Sequence, residues 1–173
     1  MNLSDMFPQF DDRGAEFSDC KKYRYLLWRI WNKKLPTLTV IGLNPSTADE
    51  TIDDPTVRKC MGYARAWNYG GLYMTNLFAF RSTDPKGMLR ESKPIGPRND
   101  TAIRRACDKS IRVLAAWGVH GSYLARDEEV IQAITPEHDL YCLAVTKEGY
   151  PKHPLYIKKK TKPILYDLKR EIA

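Results

Sequence analysis

The sequence predicts an α/β fold in three layers, α/β/α, around a mostly parallel central sheet of about four strands, with a β-hairpin at the amino end. Three observations carry this. Short runs of continuous apolar residues alternate with longer stretches that open on helix-capping residues. The apolar runs lack the in-and-out alternation of a half-wet strand, so both sheet faces are expected to be covered. The chain has 173 residues, of which 43% are hydrophobic and 28% charged, a size and composition suited to one core and hence to a single domain spanning 1–173.

The elements follow in order. Residues 22–31 and Thr37–Gly42 read as strands separated by a turn at Asn32, two lysines and Pro36, which together suggest an edge hairpin. Asp54 is a helix N-cap, with Pro55 at the first helical position, and Gly70 and Gly71 end that helix. Gly71–Asn76 is a second buried strand, followed by a loop rich in Pro and Gly. A helix is expected near 97–109, a strand at 111–117 closed by Gly118, a helix near 122–134, a strand at 140–145 and a last helix over 162–172.

Composition narrows the function classes. No run approaches the roughly 18 apolar residues of a membrane span, and the acidic start is unlike a signal peptide, so a cytoplasmic location is expected. Cys20, Cys60, Cys107 and Cys142 are too widely spaced for a zinc site or a disulfide scaffold and read as reduced thiols. The formal charge is +7, concentrated late: 147–173 holds eight basic residues against three acidic ones. Such a patch attracts phosphates, although a solvated lysine-rich tail gives the same count.

In open parallel sheets the ligand lies beyond the carboxyl ends of the strands. Four loops meet there. They carry Gly42-Leu43-Asn44-Pro45-Ser46-Thr47, then Thr75-Asn76-Leu77-Phe78, then Trp117-Gly118, and finally Gly149-Tyr150-Pro151-Lys152-His153-Pro154-Leu155. In kind and order these motifs resemble those of the uracil-DNA glycosylase superfamily: a first motif like GxNP, an asparagine ending a middle strand, a strand ending in WG, and a late His-Pro. The strings LNPSTAD, DDPT, NLFAFRSTDP, AAWG and GYPKHPLY more closely resemble the bacterial and phage family known as domain of unknown function 1643. That second likeness spans nearly the whole chain and carries no activity, so the expected function rests on the first.

The glycosylase likeness implies roles. Asn44 would orient a water toward the sugar C1′, since an amide is no strong base; the local alternative is a plain Asn-Pro-Ser turn. Asn76 would read the edge of a flipped base through its amide, or else cap a loop. His153, held by Pro154, would stabilise charge developing on a base carbonyl. Gly42, Leu43, Pro45, Ser46, Phe78, Trp117 and Gly118 would border the ligand, although a core tryptophan beside a turn glycine explains Trp117-Gly118 equally. Arg81, Lys86, Lys152, Lys158, Lys159, Lys160 and Lys162 would hold backbone phosphates, with Arg90, Lys93 and Arg98 nearby, or else form solvated faces; Leu155, Tyr156 and Ile157 would wedge into the duplex or, equally, pack into the core. His120 and His138 read as surface or structural.

The likeness has gaps. Ser46 stands where glycine or tyrosine usually follows the Pro, and no aromatic lies between it and Tyr63 to stack on a base, leaving Phe78, Phe80 or Trp67 as substitutes. No iron-sulfur cysteines, cofactor, metal or obligate protein partner are expected; DNA or a nucleotide is. The expected activity is excision or processing of a modified or deaminated base. Alternatives are a non-catalytic nucleic-acid or nucleotide binder, and a metal-dependent nucleotide hydrolase using Asp49, Glu50, Asp53 and Asp54.

Overall fold

The computed structural model describes residues 9–167. Seven strands, β1 (Asp12–Phe17), β2 (Arg24–Ile30), β3 (Thr37–Gly42), β4 (Gly71–Asn76), β5 (Arg112–Ala115), β6 (Leu140–Cys142) and β7 (Ile164–Leu165), form one sheet in the order β1-β2-β4-β3-β5-β6-β7. The fold is α/β, but the sheet has seven strands rather than four and is mixed. β4, β3, β5 and β6 pair in parallel, whereas the pairings of β1 with β2, β2 with β4 and β6 with β7 are antiparallel.

The expected hairpin of 22–31 with Thr37–Gly42 does not form. β4 inserts between β2 and β3, and the amino-terminal hairpin is β1 with β2. β1 carries no apolar signal of its own, and its Gly14 lies against Trp28, whose ring an added Cβ would overlap.

Four helices accompany the sheet: α1 (Pro55–Ala66), α2 (Pro85–Arg90), α3 (Asn99–Asp108) and α4 (Arg126–Ile134). Leu38, Val40 and Leu114 pack with Val57, Cys60 and Ala64 of α1. Ile41, Val113 and Ala115, pointing the other way, pack with Ile103 and Cys107 of α3 and Val130, Ile131 and Ile134 of α4. Helices therefore cover both faces of the parallel run, which is why its strands are apolar throughout. Thr39, the polar exception in β3, donates to the Ala106 carbonyl at 2.8 Å and lies 2.8 Å from the Ser110 hydroxyl.

α1 starts as its sequence dictates: the Asp54 carboxylate accepts from the Val57 N–H at 2.8 Å, with Pro55 next in line. It ends at Ala66, before Gly70, with Asn68 in the left-handed region at φ 63°. The helix expected near 122–134 begins only at Arg126, because Leu124 and Ala125 are left-handed and break it from a 3-10 turn over Val119–Ala125. The buried Arg126 guanidinium anchors that start to the Leu77 carbonyl at 3.0 Å, to Glu129 at 2.8 Å and to Asp100. The strand expected at 140–145 is confined to Leu140–Cys142. In place of the last helix, Ile164–Leu165 pairs as a strand on β6, and residues 168–172 of that expectation lie outside the described residues.

Two crossovers leave β3 with neighbours reached from opposite directions. α1 carries the chain to β4 on one side, and α3 returns it past β3 to β5 on the other. Loops diverge at that point and open a crevice beyond the carboxyl ends of β3 and β5.

Candidate functional site

A cavity of about 790 Å³ occupies this crevice, a size suited to a nucleotide-sized ligand. Asn44, Asn76 and His153, 109 positions apart from first to last, border it together with Gly42, Leu43, Pro45, Ser46, Trp117, Gly118 and Lys152.

Its floor is built on the paired ends of β3 and β4, where Gly42 and Asn76 lie side by side in register. A Cβ on Gly42 would come within 2.8 Å of Asn76 Nδ2, so glycine is what lets the amide rest across the strand end. Arg24 Nη2 lies 3.5 Å from Asn76 Oδ1. A guanidinium only donates, so it sets the amide with its oxygen toward Arg24 and leaves Nδ2 without a partner among the described residues. Asn99, at the start of α3, pins the backbone below by donating to the Asn76 and Leu77 carbonyls, both at 2.9 Å.

Arg24 is only 2% exposed and lines the same cavity. Its Nη1 donates to the Ala48 carbonyl at 3.0 Å, while its Nε is buried without a partner among the described residues. Burial pushes the guanidinium pKa down to about 10, against the opposing pull of Asp54, so it stays cationic at neutral pH.

Asn44 stands on the loop after β3. Its Nδ2 donates to the Ser82 carbonyl at 2.9 Å and to the Pro45 carbonyl at 3.2 Å, fixing the amide plane. The oxygen has no partner among the described residues and is an acceptor suited to a water hydrogen. The Ser82 N–H returns a bond to the Pro45 carbonyl at 2.9 Å, so the loops after β3 and β4 are stitched together under the site.

His153 caps the short turn Pro154–Tyr156: its Nδ1 accepts from the Leu155 N–H at 3.3 Å. A ring that accepts at Nδ1 carries its proton on Nε2 when neutral. Burial lowers its pKa below the ordinary 6.5, with Asp54 opposing, so the neutral donor form prevails at neutral pH. Gly118 closes β5 at φ 72°, a left-handed conformation that favours glycine, and its N–H donates to the Pro151 carbonyl at 2.9 Å. That bond holds the His153 loop against the end of β5.

Other expected residues lie elsewhere. Phe78 is wholly buried in the core beside Tyr123, Phe80 packs edge-on to Tyr23, and Trp67 stacks on Tyr63, so none of these three borders the cavity. The aromatics at the cavity are Trp117, 1% exposed beneath it, and Tyr156, 84% exposed at its mouth. Arg81 turns away, with its guanidinium over the Phe17 ring and donating to the Lys21 carbonyl. Lys86, Lys158, Lys159, Lys160 and Lys162 are exposed and do not line the cavity; Lys152 is exposed and does. Leu155 and Tyr156 are exposed at the mouth, whereas Ile157 packs on the α1 side of the core.

His120, expected to be surface or structural, is exposed but borders the cavity; His138 lies 3.0 Å from Asp108, away from it. The acidic loop is occupied structurally. Asp53 pairs with the buried Arg29 at 2.8 Å, and Asp49 accepts from the Thr51 and Ile52 N–H groups. Asp54 alone of the four reaches the cavity.

Sequence reasoning missed Arg24 altogether and considered Asp54 only as a helix cap or as one of four acidic residues that could hold a metal. A signal for Arg24 existed. In the apolar run Arg24–Ile30 the two arginines are costly to bury, and such burial marks a structural clamp, as for Arg29, or a ligand site.

The model of the protein family described as "Protein of unknown function (DUF1643)" matches residues 24–155, most of the chain, and the protein belongs to that family. No curated protein and no solved structure matches it. Among the described residues, no helix is long and apolar enough to cross a membrane.

Proposed function

We propose that this member of the DUF1643 family is a uracil-DNA glycosylase-like protein that excises or processes a modified or deaminated base in DNA by water-assisted cleavage of the N-glycosidic bond. The observation that carries the reading is the common cavity: Asn44 just past the end of β3, Asn76 at the end of β4 and His153 on the late loop all border it. A parallel four-strand run with helices on both faces suits the same likeness.

Each group has chemistry to offer. Asn76, its Nδ2 unpartnered among the described residues and its Oδ1 turned toward Arg24, donates to a carbonyl of the extruded base. Asn44 accepts a hydrogen from the attacking water and aims its oxygen at C1′. His153 donates from Nε2 to the carbonyl oxygen on which negative charge builds as the base leaves. Tyr156, exposed at the mouth beside His153 at 5.8 Å between ring centres, offers a face for stacking that the sequence lacked elsewhere. Lys152 at that mouth, with the exposed lysines at 158–160 further along the chain, supplies charge for phosphates.

The test is direct. Protein in excess over single-stranded and duplex oligonucleotides carrying uracil, hydroxymethyluracil and other modified bases should leave abasic sites; their absence on every substrate would overturn the reading. The non-catalytic alternative draws on Phe78, Phe80 and Trp67 lying outside the cavity. Binding without turnover, unchanged in Asn44→Ala, selects it. The metal-dependent alternative is weakened because Asp49 and Asp53 are engaged by backbone N–H groups and by Arg29.

A further inference from the structure

We propose that Asp54 is the general base of this site, taking the proton of the water that Asn44 orients. The inference rests on the glycosylase-like reading and adds a catalytic residue that the asparagine motif does not supply. Hydrolysis needs a group able to receive a proton, and an amide cannot do so.

The titratable groups bordering the cavity are Arg24, Asp54, His120, Lys152, His153 and Tyr156. Two are cations at neutral pH and Tyr156 is a phenol at the exposed mouth, so three acceptors remain. His153 is held with Nδ1 occupied and Nε2 donating, and His120 is exposed with nothing among the described residues to orient it. Asp54 is the only acid of the set. It is 8% exposed, and its Oδ1 is fixed by the Val57 N–H while Oδ2 has no partner among the described residues. The buried Arg24 cation, with an unpartnered Nε, lies close enough for Asp54 to raise its pKa, and the same holds for His153. The Val57 N–H fixes one carboxylate oxygen, and the negative charge would face the positive sugar that forms as the base departs.

The step balances. The water oxygen bonds to C1′ and one water proton passes to Asp54. The C1′–N bond breaks with its electron pair on the base, whose carbonyl oxygen receives the His153 hydrogen bond. The base anion then takes a proton from solvent and Asp54 releases its own, giving the free base and an abasic sugar.

Asp54→Asn separates chemistry from folding, because Asn caps a helix as well as Asp. Wild type, Asp54→Asn and Asp54→Ser, a second capping residue, are compared in single-turnover base release over a wide pH range, alongside thermal melts. The expected result is melting near wild type, a fall in rate on the order of 10²–10⁴-fold in both variants, and loss of the limb that descends at acidic pH. Added formate should restore part of the Asp54→Ser rate. The groups facing Asp54 that also shape this profile are Arg24 from β2 and His153 from the late loop; the Cys60 thiol of α1, its pKa pushed up to about 12 by burial, stays neutral below that value. Unchanged rate and pH profile in Asp54→Asn would overturn the assignment and leave the glycosylase-like reading standing. A wild type that releases no base removes both.

Discussion

The floor and the mouth of the cavity are built on opposite terms. At the floor, Arg24, Gly42, Asp54 and Asn76 are buried, and strand register, a helix N–H and carbonyls of neighbouring loops set their orientations. At the mouth, Leu155, Tyr156 and Lys152 project into solvent from a loop held by backbone bonds such as Gly118 to Pro151. Groups fixed before a ligand arrives can discriminate between atoms, whereas exposed side chains add contact and charge without fixing geometry. Substitutions at the floor should therefore alter chemistry or folding, and substitutions at the mouth should alter affinity alone.

The sharpest break in that contrast is Asn44→Ala. It removes the acceptor for water while leaving the strands intact, and base release in single turnover should fall by about 10²-fold or more. Stability in urea should change little, because Asn44 is half-buried and bonds only loop carbonyls.

Gly42→Ala tests the floor through packing. The new Cβ meets Asn76 Nδ2 at 2.8 Å, so either the amide rotates off Arg24 or β3 shifts. Urea midpoints should report a loss of about 1–3 kcal/mol, accompanied by weaker retention of ligand.

The pH dependence of His153 comes next. Its folded pKa lies below the ordinary 6.5, so its neutral form contributes stability that is present above pH 6.5 and is lost as pH falls through the folded value. Melting at decreasing pH should therefore show a destabilisation in wild type that His153→Gln lacks.

On the exposed segment that follows Tyr156, replacing Lys158, Lys159 and Lys160 by Ala should leave single-turnover rates at saturation unchanged. The slope of log affinity against log salt should flatten by about 0.9 for each phosphate that the variant no longer neutralises. The smallest expected effect is Tyr156→Ala, with stability within about 0.5 kcal/mol of wild type and binding modestly weakened.

What the sequence made legible follows the same division between local and distant. β3 and β4 have the expected bounds, Thr37–Gly42 and Gly71–Asn76, because uninterrupted apolar runs between turn residues are a local signal. Their neighbours are not local. The turn around Asn32–Pro36 suits a hairpin, yet the stronger pairing places β4 between β2 and β3. The DRGAEF stretch of β1 has no periodicity to read, and its place depends on Trp28 lying across Gly14.

In the site, Asn44 and His153 were legible because Pro neighbours and strand-end loops mark them, and Gly42 with Asn76 because they end strands. Arg24 was not, since a charge within an apolar run gives no hint of which strand end it reaches. Phe78 misled for a related reason: it follows Asn76 by two positions, but its side chain turns into the core beneath α3 and α4.

The central claim is that the cavity takes a nucleobase against Asn44, Asn76 and His153, and side-chain NMR tests it most directly. Titrating ¹⁵N-labelled protein with an oligonucleotide carrying an unpaired uracil should move the Asn44 and Asn76 amide signals and the His153 ring signals together, along one saturation curve. Movement confined to lysine and backbone signals of the 158–162 segment, with those three groups unmoved at saturation, would contradict it.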